Sequence, residues 1–155
     1  MQVSDILRVK GGTLFTVQPD EPLSRAMTDM AEKDIGSLVV MAQGQLVGML
    51  TFREVIQQIV KNGGQVGNTK VREAMESKPL TCAGSTDIDE VRRMMLEHHA
   101  RYMPVMDGPM LMGVISFYDV AKAVVDSQNF ENKMLKAYIR DWPEGSAPEA
   151  EDVKL

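Results

Sequence analysis

The sequence predicts an α/β fold made of two pseudo-symmetric copies of one strand–helix–strand–strand–helix unit, and three observations carry that prediction. Residues 16–55 align with residues 81–120 without a gap, pairing identical residues at Thr16/Thr81, Met30/Met95, Glu32/Glu97, Val40/Val105, Met41/Met106, Leu46/Leu111, Gly48/Gly113, Phe52/Phe117 and Val55/Val120. Leu23/Ile88, Leu50/Ile115, Thr51/Ser116 and Glu54/Asp119 are conservative pairs in the same register. Within each copy the apolar pattern alternates between helical spacing and the short continuous runs of buried strands. The chain has 155 residues, of which 44% are hydrophobic and 25% charged, values of an ordinary globular unit that exclude a large multidomain enzyme.

Each element follows from its residues. TLFTV (13–17) reads as a short strand, and Glu21 and Pro22 open a helix, Pro standing in the first turn where a missing N–H costs nothing. The apolar stripe of that helix is Leu23, Ala26, Met27, Met30 and Ala31. SLVVM (37–41) is an apolar strand, AQGQ a turn and LVGMLT (46–51) the next strand; FREVIQQIVK (52–61) is a helix with Phe52, Val55, Ile56 and Ile59 inward. NGGQVGNTK is a Gly-rich linker. The second copy repeats the order: LTC, a helix opened by Thr86 with Asp89 at capping-box spacing, YMPVM, a DGP turn, LMGVIS and the helix FYDVAKAVV. Neither copy alone covers both faces of a three-stranded sheet, so the two small mixed sheets are expected to pack face to face with helices outside. The predicted boundaries are a first repeat over 1–62, a linker over 63–70, a second repeat over 71–126, a C-terminal helix over 127–143 and an acidic tail over 144–155 that lies outside the fold.

Charge and composition narrow the function. A net charge of −5, with no run of Lys or Arg longer than two, argues against a nucleic-acid partner. No window is apolar for long enough to span a membrane, and MQVSDILRVKGG lacks the basic and apolar regions of a signal peptide, so a soluble cytoplasmic protein is expected. Cys82 is the one cysteine and has no His beside it in either repeat; with no Walker A or GxGxxG motif, an enzyme is not expected. His98 and His99 are adjacent near a helix end and diverge, a poor metal pair. The thirteen methionines are read as adaptable core or interface filler, with no metal and no catalytic cofactor.

The segments SLVVMAQGQLVGMLTFREV and RYMPVMDGPMLMGVISFYDV resemble a tandem pair of cystathionine β-synthase (CBS) domains, the Bateman module, and the resemblance runs over residues 3–125. It implies a regulatory protein that binds an adenosine-bearing ligand such as AMP, ADP, ATP, NAD or S-adenosylmethionine, in signal transduction or energy sensing. Because no length remains for an effector domain, it also implies a stand-alone sensor or adaptor acting on an unidentified protein target. Related modules pair into flat discs, so a homodimer is expected. A ligand-independent dimerisation module is the competing reading.

The residues beneath the resemblance have their own chemistry. Thr51 and Ser116 stand where a strand passes into a helix, beside free backbone N–H groups and the positive helix end. A carboxylate three residues on, Glu54 or Asp119, can accept ribose hydroxyls. Thr51-x-x-Glu54 is equally a capping box, whereas Asp119 reads as too short for that reach-back. By the resemblance, the residues preceding the second strand of a repeat face phosphate, which places Arg101 and Tyr102 beside Ser116, Tyr118 and Asp119. Arg53 and Lys78 then serve the other site; the alternative for all three cations is a solvated surface charge. Adenine contact is implied for Ile35 in the site of Asp119 and for Ala100 in the site of Glu54, with ordinary core as the alternative.

Overall fold

The computed structural model describes residues 1–140; the predicted acidic tail and the end of the predicted C-terminal helix lie outside the described residues. The chain runs α1 (Val3–Lys10), β1 (Thr16–Val17), α2 (Leu23–Lys33), β2 (Ser37–Ala42), β3 (Gln45–Thr51), α3 (Phe52–Lys61), α4 (Val71–Ala74), β4 (Cys82–Ala83), α5 (Ile88–His98), β5 (Tyr102–Asp107), β6 (Met110–Ser116) and α6 (Phe117–Arg140). Two three-stranded mixed sheets form, ordered β1-β2-β3 and β4-β5-β6, and they meet through β3 and β6.

The repeat seen in sequence is a repeat in register. Val40 pairs with Gly48 and Val105 with Gly113, and each hairpin carries a bulge immediately afterwards, at Val40/Met41 and Val105/Met106. Gln43 and Gly44 turn the first hairpin with φ of 53° and 75°, the paired left-handed geometry that matches strand twist. In the second hairpin only Gly108 takes a positive φ, because the ring of Pro109 forbids one. The helices α2 and α5 both end on a left-handed residue, Asp34 and His99, two types that tolerate that region.

The N-terminal segment and the linker exchange partners. α1 buries Val3 and Ile6 in the core of the second repeat, among Cys82, Ile88, Val91, Met103, Ile115 and Val120. α4 buries Val71 in the core of the first, among Leu23, Leu38, Leu50 and Val55. Backbone bonds make the exchange symmetric: Val3 N–H donates to Thr86 O at 3.0 Å, and Val71 N–H donates to Glu21 O at 2.9 Å. At the start of each segment the N-cap N–H, of Gln2 or Lys70, donates to the carboxylate of Asp5 or Glu73. The pseudo-symmetry therefore extends beyond the aligned block, with residues 3–10 equivalent to residues 71–78 and Lys10 equivalent to Lys78. Three residues, Gly11, Gly12 and Thr13, are extra in the first copy, which is why gapless alignment stops short of this match. Close approach across the exchange needs glycine at position 48, where a Cβ would lie 2.8 Å from the backbone Glu76 O; at Gly113 a Cβ would lie 2.9 Å from a methyl of Leu7, a side-chain end that can shift.

Several expectations are corrected. The predicted repeat bounds do not coincide with the cores, since residues 3–10 of the first repeat pack in the second core and residues 71–74 of the second repeat pack in the first. Helix α6 continues unbroken through residues 126 and 127, since no Gly or Pro interrupts it. Ala31 is exposed, and so are Phe52 and Ile56, because Val55 and Ile59 alone fill the stripe that α3 turns to its core. Asp87, not Thr86, caps α5: its carboxylate accepts from Asp89 N–H at 3.2 Å, while the Thr86 hydroxyl accepts from Ala83 N–H at 3.0 Å. Among the described residues no helix is long and apolar enough to cross a membrane.

Candidate functional site

Two clefts lie where the repeats meet, and the pseudo-two-fold relates their linings. The first, of about 640 Å³, is walled by Leu14 and Phe15 ahead of β1, by Ile35 and Ser37 at the start of β2, and by Ser116 and Tyr118 at the β6–α6 junction. The second, of about 780 Å³, is built from the equivalent positions: Pro79 and Leu80, Ala100 and Tyr102, Thr51 and Arg53. The structure thus brings Ile35, Arg101, Tyr102, Ser116 and Tyr118 to one cleft, with Asp119 adjoining it through Lys10, and it brings Thr51, Arg53, Glu54, Lys78 and Ala100 to the other. Arg101 and Tyr102 are not confined to the first cleft as the sequence grouping has them. They stand on the ridge between the clefts and line both, the Tyr102 ring lying over Gly36, where a Cβ would fall 1.9 Å from its hydroxyl oxygen.

At the first junction the expectation that Asp119 is too short to reach back is corrected. The Asp119 carboxylate does reach back: Oδ2 accepts from Ser116 N–H at 2.8 Å, and Asp119 N–H donates to Ser116 Oγ at 3.1 Å. This is a reciprocal capping box with Asp at the third helical position, possible because the extended Ser116 turns its N–H directly over the first turn. Lys10 Nζ also donates to Oδ2, at 2.7 Å, and to Val114 O at 3.0 Å. Burial by itself raises the Asp119 pKa, but the hydrogen bond and charge of Lys10 and the two bonds to Ser116 outweigh it and hold the carboxyl below the ordinary aspartate range.

At the second junction Thr51 makes no cap to the backbone; its hydroxyl donates to the Glu54 carboxylate instead. Glu54 is therefore committed to its neighbour's hydroxyl, not to the helix end. Arg53 reaches across the cleft, its Nη1 donating to His99 O at 3.4 Å, at the C-terminal end of α5. Lys78 lines this cleft with its backbone N–H on Glu76 Oε1 at 2.9 Å. His98 and His99 line it as well, but among the described residues no three His, Cys, Asp or Glu side chains converge for a metal. Cys82 is buried, and burial pushes its thiol up to about 11, so it is a protonated, unreactive side chain at neutral pH.

Sequence reasoning missed Lys10, Leu14, Phe15 and Phe117 in the first cleft and Glu76, Pro79 and Leu80 in the second. Lys10 was hidden because it belongs to the exchanged helix; matching residues 3–10 to residues 71–78 is the signal that finds it.

A family model described as the CBS domain matches residues 3–61 and, a second time, residues 71–126. The chain belongs to the CBS domain family. As a CBS-domain pair it is similar to the CBS domain-containing protein CBSX3, mitochondrial, of Arabidopsis thaliana, with 29% identity over 147 residues that cover 89% of this chain and 71% of that protein. Among solved structures it is similar to a putative signal-transduction protein with CBS domains from Burkholderia ambifaria, with a TM-score of 0.77 and 34% identity, covering 83% of this chain and 96% of that one. It is also similar to CBSX2, solved in complex with AMP, with a TM-score of 0.64 and 26% identity, covering 82% of this chain and 98% of that one.

Proposed function

We propose that this CBS-domain pair is a regulatory sensor or adaptor, not an enzyme, that binds an adenosine-containing ligand (AMP, ADP, ATP or NAD) in the clefts between its repeats. The observation that carries the reading is the coincidence, in each cleft, of an apolar slot, at least one cation and a strand-to-helix junction whose hydroxyl lines the cleft, with its carboxylate lining the second cleft and adjoining the first. In the first cleft Asp119 and Ser116 take the ribose, Ile35 flanks the adenine, and Arg101 and Tyr102 face phosphate, with Tyr118 at the rim. In the second, Thr51 and Glu54 take the ribose, Ala100 the adenine, and Arg53 and Lys78 the phosphate. The similar CBSX2 in complex with AMP supports the ligand class. A reducing compartment such as the cytoplasm suits the single buried cysteine. Thermal unfolding across AMP, ADP, ATP and NAD tests the proposal: a ligand at 100 times its Kd adds about 2.7 kcal/mol of stability. No shift with any of the four would leave the clefts without this role.

The second reading, association with another copy, has its own observation. Phe52, Ile56 and Val60 lie one turn apart along α3 and are 54%, 60% and 72% exposed, and Phe117 and Val125 are exposed on the equivalent α6. A second copy presenting the same pair of helices closes both faces at once. Light scattering is expected to give about twice the 17.2 kDa of one chain, and Ile56→Glu to return it to one chain's mass. A monomer at micromolar concentration would remove the dimer and leave the ligand proposal standing.

A further inference from the structure

We propose that Lys10 competes with the ligand's ribose diol for Asp119, so that occupancy of the first cleft detaches the end of the N-terminal helix α1 from α6. The inference rests on the ribose role proposed for Asp119. It starts from the saturation of one oxygen. Asp119 Oδ2 already accepts two hydrogen bonds, from Ser116 N–H at 2.8 Å and from Lys10 Nζ at 2.7 Å. A carboxylate oxygen has two lone pairs in its plane, so Oδ2 has no further place in the geometry a diol needs, which is one hydroxyl on each oxygen.

One of the two donors must leave. Ser116 N–H is held in the backbone at the N-terminus of α6 and its hydroxyl is fixed by Asp119 N–H, so it cannot withdraw without fraying the helix. Lys10 is at the tip of a flexible stem, lines the cleft, and is 38% exposed, so it is the donor that yields. Its departure breaks two contacts at once, to Asp119 and to Val114 O, and these tie the last turn of α1 to the β6–α6 junction. Beyond Lys10 the chain continues through Gly11 and Gly12, around which a Cβ would meet nothing within 4 Å, so the released end has room to move. The second cleft lacks the device: Lys78, the equivalent of Lys10, makes no side-chain bond to Glu54, whose carboxylate accepts from Thr51 instead. Ligand in the first cleft is therefore reported at the N-terminus, and ligand in the second is not.

The test uses the full chain with adenosine, which has the diol and no phosphate to reward a cation, and with 2′,3′-dideoxyadenosine, which has no diol. Calorimetry on Lys10→Met is expected to show adenosine binding to the first cleft tightened by about three- to fivefold, the scale of a partly exposed ion pair, with dideoxyadenosine unchanged. As a readout that needs no variant, hydrogen exchange in the last turn of α1 is expected to quicken when the wild-type protein is saturated with adenosine. Equal or weaker adenosine binding by Lys10→Met, or unchanged exchange in α1, overturns the competition while the ribose reading stands. Absence of adenosine and nucleotide binding from both proteins overturns the reading and the competition together.

Discussion

Replacing Asp119 with alanine is expected to lower the affinity of the first cleft for AMP by at least about tenfold. Each charge-assisted bond between a carboxylate and a ribose hydroxyl is worth roughly 1.5–3 kcal/mol, and the substitution deletes two. Titration of AMP and NAD against Asp119→Ala and Glu54→Ala ranks the clefts, and the Asp119 change is expected to hurt binding more. The reverse ranking would put the principal site in the second cleft. The structure adds a cost to stability that the Glu54 change does not share, because Asp119 caps α6 and pairs with Lys10. Loss of such a cap costs about 0.5–2 kcal/mol.

The same carboxylate gives a pH dependence with a definite sign. The folded-state pKa of Asp119 lies below its unfolded value, so the folded protein binds the proton less readily. Its contribution to stability is complete above the unfolded aspartate pKa of about 3.9 and is lost as pH falls through the lower folded value. The difference in Tm between wild type and Asp119→Asn is therefore expected to be constant near neutrality and to narrow in acid. A difference that widened as pH fell would reverse the assignment.

Ile6→Ala is expected to destabilise the protein by about 2–5 kcal/mol, an effect out of proportion to a position so near the N-terminus. Ile6 is buried in the second core and lies against residues more than seventy positions further along the chain, so truncation leaves a cavity in the middle of the fold. Because total stability is only about 5–15 kcal/mol, such a loss is readily measured by urea unfolding. A change under about 0.5 kcal/mol, the range of ordinary surface substitutions, would show α1 to be peripheral.

Much of the fold was legible in the sequence. Strand, helix and turn order within each repeat is dictated by local periodicity, by glycine and proline at turns, and by the duplication itself. The grouping of Ile35 with Ser116 and of Ala100 with Thr51 was implied by the family resemblance, not by periodicity or composition, and each pair lines a common cleft. The apolar residues Phe52 and Ile56 were misplaced, since periodicity locates a stripe but does not say how wide a face the neighbouring elements cover.

The sequence by itself determined the duplicated α/β unit, its family and the residue types at each strand-to-helix junction, all properties carried by short-range pattern. Tertiary structure alone decided three things. It sent α1 to the second core and α4 to the first, a choice between two nearly identical sheets that no local propensity distinguishes. It placed Arg101 and Tyr102 on the ridge shared by both clefts. And it set Lys10 on Asp119, a contact between residues 109 positions apart, formed because helix exchange closes that distance while local sequence records only a lysine at a helix end.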